Sequence, residues 1–231
     1  MAKPQLVLLH GALGAKSQFE PWLPLLEDNF QIHCLDFEGH GSQPFSDRQF
    51  AIAHFAENLS DFLTQHDIQK ANIFGYSMGG YVALYLASRQ PERFAKIFTF
   101  ASKFHWTPES AEKEAKMLDV ETILKKVPKF ADMLAKRHYG NDWQGHLSRT
   151  ALMMKALGES PALGPNDFAN VLTPTRLGIG DRDKMVTFEE TVTVYRQIQG
   201  AEFQVLPQTP HPLEKIDPER ICQEITSYFS A

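Results

Sequence analysis

Three side chains that together could make an activated nucleophile are spread along this chain. Ser77 stands in Gly75-Tyr76-Ser77-Met78-Gly79-Gly80, between an apolar run and a segment rich in helix formers. A serine at a strand-to-helix junction sits on a very sharp turn. Glycines two positions before and after it remove the Cβ clashes such a turn creates. The hydroxyl then stands exposed at the strand's C-terminal edge, with the N–H of Met78 aimed at the same place. The competing reading is a glycine-rich turn with a solvated or helix-capping serine. A hydroxyl is a weak nucleophile without a base, and the base needs an orienting acid. His211, flanked by Pro210 and Pro212, follows the last predicted strand. Asp181 and Asp183, in Gly178-Ile179-Gly180-Asp181-Arg182-Asp183-Lys184-Met185-Val186, follow the strand before it, and one of the two is expected to be a turn aspartate.

These residues need a scaffold that brings three loops to one edge. Short apolar runs at Gln5–His10, Gln31–Phe37, Ala71–Tyr76 and Lys96–Ala101 have strand length, and several are bounded by glycine or proline. Helix-length segments at Phe50–Phe62 and Met78–Arg89 separate them, the second stopping before Pro91. Strands at Thr175–Gly180 and Phe203–Leu206 and helices at Phe188–Ile198 and Pro218–Tyr228 resume the pattern. Such alternation predicts an α/β fold with parallel strands and helices on both faces. Residues 1–102 and 173–231 form its core. Residues 103–172 lack a β run and read as a helical insertion. Thr107-Pro108-Glu109 supplies a cap, a first-turn proline and an acid; Asp142 caps a second helix expected to end at Gly158.

Composition narrows the class. The 231 residues carry 23 Lys+Arg against 28 Asp+Glu, a net charge of −5, which disfavours nucleic acid as a partner. The insertion is nearly balanced as well. No apolar run approaches membrane-spanning length, and the apolar stretch Leu6–Leu9 is too short for a signal peptide, so a cytoplasmic protein without a membrane partner is expected. Cys34 and Cys222 read as buried thiols. No Cys-x-x-Cys, His-Glu-x-x-His or dinucleotide-binding glycine pattern occurs; no metal and no cofactor are expected.

Taken together, the motifs resemble the α/β-hydrolase superfamily over nearly the whole chain. The order serine, aspartate, histidine is the family's. So is His10-Gly11 at the end of an early strand, and Asp36-Phe37-Glu38-Gly39-His40-Gly41-Ser42-Gln43 is similar to a family loop that ends in serine where Gln43 stands. The family's acid motif, Gly-x-x-Asp-x-x-Val, fits Gly180, Asp183 and Val186, which favours Asp183 over Asp181. The resemblance implies an oxyanion hole from the N–H groups of Ala12 and Met78, with Leu13 as the fallback for Ala12. It leaves His10 and His40 as structural residues. It implies a six-stranded, mostly parallel sheet without the family's first two strands, since only about four residues precede the His-Gly strand. It also makes the insertion a cap. Leu13, Phe104, Trp106, Trp143 and Met153 are candidates to line an apolar pocket, although helix spacing alone equally suits packing.

The activity implied is that of a serine hydrolase cleaving a small to medium carboxylic ester through an acyl-enzyme on Ser77. The resemblance also reaches lyases, thioesterases and carbon–carbon bond hydrolases with the same triad. The menaquinone-pathway lyases typically place an arginine soon after the elbow, and none occurs here before Arg89. A non-catalytic ligand-binding member of the fold is the remaining alternative.

Overall fold

The computed structural model describes residues 3–230. Strands β1 (Gln5–Leu9), β2 (Gln31–Leu35), β3 (Ala71–Tyr76), β4 (Phe94–Phe100), β5 (Thr175–Gly180) and β6 (Glu202–Leu206) form one sheet in the order β2-β1-β3-β4-β5-β6. Every neighbouring pair is parallel, so "mostly parallel" understated the regularity. Helices in the two α/β stretches are α1 (Leu23–Leu26), α2 (Ile52–Gln65) and α3 (Met78–Ala87), then, after the intervening helices α4 to α8 given below, α9 (Phe188–Gln197) and α10 (Pro218–Ser230).

The strand sequences alternate between two cores. Leu6 and Leu8, Phe74 and Tyr76, Phe98 and Phe100 face α1 and α10, where Leu26, Ile221 and Ile225 meet them. Val7 and Leu9, Ile73 and Ile97 face the opposite side, against Phe55 and Leu59 of α2, Val82 of α3 and Val194 of α9. Period-two alternation with apolar residues on both faces is what a parallel sheet covered by helices on both sides requires. The chain order reverses between β1 and β3, which opens a crevice at their C-terminal ends.

Between β4 and β5 lie five helices: α4 (Pro108–Lys116), α5 (Val120–Lys126), α6 (Pro128–Arg137), α7 (Trp143–Glu159) and α8 (Pro165–Ala169). Thr107 caps α4, its hydroxyl accepting from the Ser110 N–H at 3.1 Å. Asp142 caps α7 through the Gly145 N–H at 2.9 Å. The expected stop at Gly158 does not occur, because this glycine lies inside α7 facing α4. A Cβ there would fall 2.5 Å from Ala111 Cβ, so Gly158 sets how closely the two helices approach. The short helices α5 and α6 escape a 3.6-residue pattern search because each is two turns or so long. Their apolar residues Ile123, Ala131 and Leu134 join Leu118 and Leu147 in a small separate core.

Candidate active site

Ser77 occupies the tip of the β3–α3 turn with φ 51° and ψ −118°, a region L-residues rarely adopt. Strain of this kind costs on the order of 1–3 kcal/mol and persists only where the surroundings impose it. Here they do. A Cβ on Gly75 would lie 2.6 Å from the Gly80 backbone, and one on Gly79 would lie 2.5 Å from the Leu9 carbonyl oxygen. Glycine at both positions lets α3 start hard against the ends of β1 and β3.

His211 sits on the loop after β6. Its Nδ1 is 2.7 Å from Asp183 Oδ2, and the Asp183 side chain is 1% exposed. The second carboxylate oxygen, Oδ1, accepts the N–H groups of Met185 and Val186 at 2.8 and 2.9 Å. The acid is therefore locked in one orientation from both ends. Asp181 is exposed and takes another job. It accepts the Thr209 N–H at 3.1 Å and so ties down the loop that carries His211. The Tyr76 hydroxyl donates to the His211 carbonyl at 2.6 Å, holding the same loop to β3.

Two peptide units beside Ser77 share a pattern. The Gly11 carbonyl accepts from the Gly14 N–H at 2.9 Å and lies 2.8 Å from His10 Nδ1. His10 Nε2 accepts the Phe37 N–H at 3.3 Å, which leaves Nδ1 as the donor. Burial pushes the His10 imidazole down to about 3, so it stays neutral. The Ser77 carbonyl accepts from the Ser102 hydroxyl at 2.8 Å and from the Gly80 N–H at 3.1 Å. In a trans peptide the N–H opposes the C=O. The N–H groups of Ala12 and Met78 are thus turned away from these anchors, and among the described residues neither finds an acceptor within the protein. Met78 also opens α3, where the helix dipole is positive.

A cavity of about 500 Å³, including its solvent-open mouth, lies over Ser77 and His211. Ala12, Ile52, Met78, Tyr81, Trp106, Met153, Met154, Leu157, Met185 and Val186 make it largely apolar; Lys103 and Glu114 also line it. A second lobe shares Ser77, His211 and Glu114 and runs past Leu13 toward Leu118, Phe130 and Arg137. Arg137 donates to the Leu13 carbonyl at 2.9 Å and pairs with Glu214 beyond His211, joining α6 to the loops after β1 and β6.

Of the pocket candidates, Trp106, Met153 and Leu13 do line these lobes. Phe104 does not. It is buried between Tyr81 and Phe168, ring against ring, beneath the strand-end chain whose neighbours Lys103 and Trp106 face the cavity. Trp143 does not either. It opens α7 ten residues before Met153, about 15 Å away along the axis, and packs in the small core with Leu118 and Leu147. Glu114 was missed although the sequence carried a signal. Ala111, Glu114, Ala115 and Leu118 are a buried i, i+3, i+4, i+7 stripe with a carboxylate in it. His40, expected to be structural, is joined in that role by His146. Both place Nε2 2.9 Å from the Ala12 carbonyl and so brace the same loop as His10.

A sequence model described as the alpha/beta hydrolase fold matches residues 4–173. The chain belongs to the α/β-hydrolase family. The match to this hydrolase family covers β1 to β4 with Ser77, and Asp183 and His211 lie beyond it. Over 101 residues the chain is 36% identical to the pimeloyl-acyl-carrier-protein methyl ester esterase of Neisseria meningitidis serogroup B. That stretch covers 44% of this chain and only 37% of the relative's length. At 23% identity it is similar to 3-oxoadipate enol-lactonase 1 of Acinetobacter baylyi across 97% of this chain and 88% of that enzyme. The enol-lactonase from Burkholderia xenovorans LB400 shares this chain's fold with a TM-score of 0.80 at 17% identity, covering 100% of this chain and 93% of that one. No described helix is long and apolar enough to cross a membrane.

Proposed function

We propose that this protein is a serine hydrolase of small to medium carboxylic esters, working through an acyl-enzyme on Ser77. His211 Nε2 takes the Ser77 proton as the hydroxyl attacks the ester carbonyl. Asp183 holds His211 in the tautomer with the proton on Nδ1 and stabilises the imidazolium that forms. The N–H groups of Ala12 and Met78 receive the developing oxyanion. His211 then protonates the leaving alcohol, and a water activated by the same imidazole releases the acid. Residues 103–172 serve as a cap that shields this chemistry and restricts substrate size.

The observation that carries the reading is the His211 Nδ1–Asp183 Oδ2 contact of 2.7 Å at the mouth of an apolar cavity that Ser77 and His211 both line. The names of the relatives, a methyl ester esterase and an enol-lactonase, support ester cleavage over other triad chemistries. The test is hydrolysis of p-nitrophenyl esters from acetyl to dodecanoyl by wild type and Ser77→Ala, with fluorophosphonate labelling alongside. Turnover and labelling that both vanish in Ser77→Ala are expected. Labelling without ester turnover would redirect the assignment to a lyase or a carbon–carbon bond hydrolase.

A further inference from the structure

Within the largely apolar cavity, two buried polar atoms have no partner. Glu114 is 6% exposed, and its Oε2 makes no hydrogen bond; the indole Nε1 of Trp106 makes none either. Both residues line the cavity over Ser77, and Glu114 is shared by its two lobes together with Ser77 and His211. Buried polar groups are almost always paired, because leaving one bare forfeits its hydration with nothing in return, and the loss is greater for a charge. Glu114 occupies the core-facing stripe of α4, where an apolar side chain would cap the fold at no such cost. A ligand group in the cavity would supply the partner that the protein itself does not.

The charges around it narrow what that partner is. Lys103 also lines the cavity and has its ammonium 3.7 Å from Glu190 Oε2. An ammonium group on a substrate would meet Lys103, and a carboxylate would meet Glu114. A neutral hydroxyl meets neither objection. It donates to Glu114 Oε2 and accepts from an N–H such as that of Trp106. Burial raises the Glu114 carboxyl above its ordinary range, which further suits a neutral hydrogen-bonding partner over a free ion.

We infer that Glu114, assisted by Trp106, is a specificity-determining pair that selects esters carrying a hydroxyl group near the scissile bond over their plain hydrocarbon counterparts. This rests on the ester-hydrolase reading above and names the substrate class within it. The hydroxyl loses its water on entry and regains equivalent hydrogen bonds, whereas an alkyl group in its place leaves the carboxyl bare. Discrimination of that kind exceeds what a purely apolar pocket can supply.

The test uses isosteric pairs: ethylene glycol monobutyrate against propyl butyrate, and methyl ω-hydroxyalkanoates against methyl alkanoates one carbon longer. Wild type, Glu114→Leu and Glu114→Gln are compared, with thermal unfolding confirming each fold. The expected result is about a ten-fold or greater kcat/KM advantage for the hydroxylated partner of at least one pair. Glu114→Leu should abolish or reverse that ratio, and Glu114→Gln, which keeps an acceptor oxygen, should retain most of it. Calorimetric affinities of hexanediol and hexanol give a readout that needs no turnover, with the same order expected. A wild type that prefers the alkyl partner of every pair, or ratios that Glu114→Leu leaves unchanged, overturns the inference while ester hydrolysis stands. Absent turnover with a Glu114-dependent preference for the diol would overturn the hydrolase reading and leave this site in place.

Discussion

Replacing Asp183 by Asn tests the orientation of the base. Asp183 Oδ1 accepts two N–H groups, from Met185 at 2.8 Å and Val186 at 2.9 Å. An asparagine keeps its single oxygen on those donors and must present its NH2 to His211. His211 Nδ1 then becomes an acceptor, its proton moves to Nε2, and the nitrogen facing the serine side can no longer accept a proton. The geometry survives and the tautomer does not. A wrong tautomer in a serine triad costs about four powers of ten in kcat, or about 5 kcal/mol of transition-state stabilisation. Asp181→Asn is the matched control, because its amide oxygen still accepts the Thr209 N–H. The assay is kcat and KM on p-nitrophenyl butyrate, with the rate of fluorophosphonate labelling as an independent measure of serine reactivity. Loss confined to kcat in Asp183→Asn, with Asp181→Asn within a few-fold of wild type, is expected. An Asp183→Asn enzyme within ten-fold of wild type, or equal losses at both positions, would refute the reasoning.

Three further outcomes follow from the same contacts. Ser77→Gly relieves a non-glycine residue held at φ 51°. It should raise the urea midpoint, by about 1 kcal/mol of stability, while eliminating turnover; an unchanged or lowered midpoint would argue against stored strain. Met153→Ala enlarges the cavity and should shift the acyl-chain optimum toward longer esters, whereas Trp143→Ala, at a partly buried position, should lower stability by about 1 kcal/mol without moving that optimum. Burial, with nearby His146 and Arg137, holds His10 and His138 neutral to about pH 3, whereas in the unfolded chain they protonate near 6.5. The unfolded state therefore binds the extra protons on acidification. Stability is full above pH 6.5 and falls below it by about 1.4 kcal/mol per pH unit for each group. His138→Gln should flatten the slope of denaturation free energy between pH 6.5 and 5 by about one proton, and an unaltered slope would contradict the assignment.

What the sequence made legible was the chemistry that depends on local geometry. The glycines around Ser77 announce a turn that only they permit, and the alternating apolar runs require a doubly covered parallel sheet. The choice between Asp183 and Asp181 was harder, because both follow β5 and only side-chain direction separates them. Motif spacing favoured Asp183, and the contact with His211 agrees. Pocket candidates in the insertion are read from residue type alone, and Trp143 and Phe104 lie away from the cavity over Ser77. An aromatic on an amphipathic helix fits a core and a cavity equally, and for Trp143 position along α7 decides between them. Glu114 illustrates the converse. A carboxylate within an apolar stripe was visible, yet its meaning depends on which neighbours leave it unpaired. The bracing of the Ala12 loop by His10, His40 and His146 draws on three separate segments, the last of them 134 positions from Ala12, beyond any spacing argument.

The central claim, covalent catalysis by Ser77, is tested most directly by intact-protein mass spectrometry after rapid acid quench of the enzyme turning over p-nitrophenyl butyrate. A single butyryl adduct, mapped to the peptide containing Ser77 and absent from Ser77→Ala, is the predicted result. Turnover that persists in Ser77→Ala, or an adduct on another residue, would contradict it.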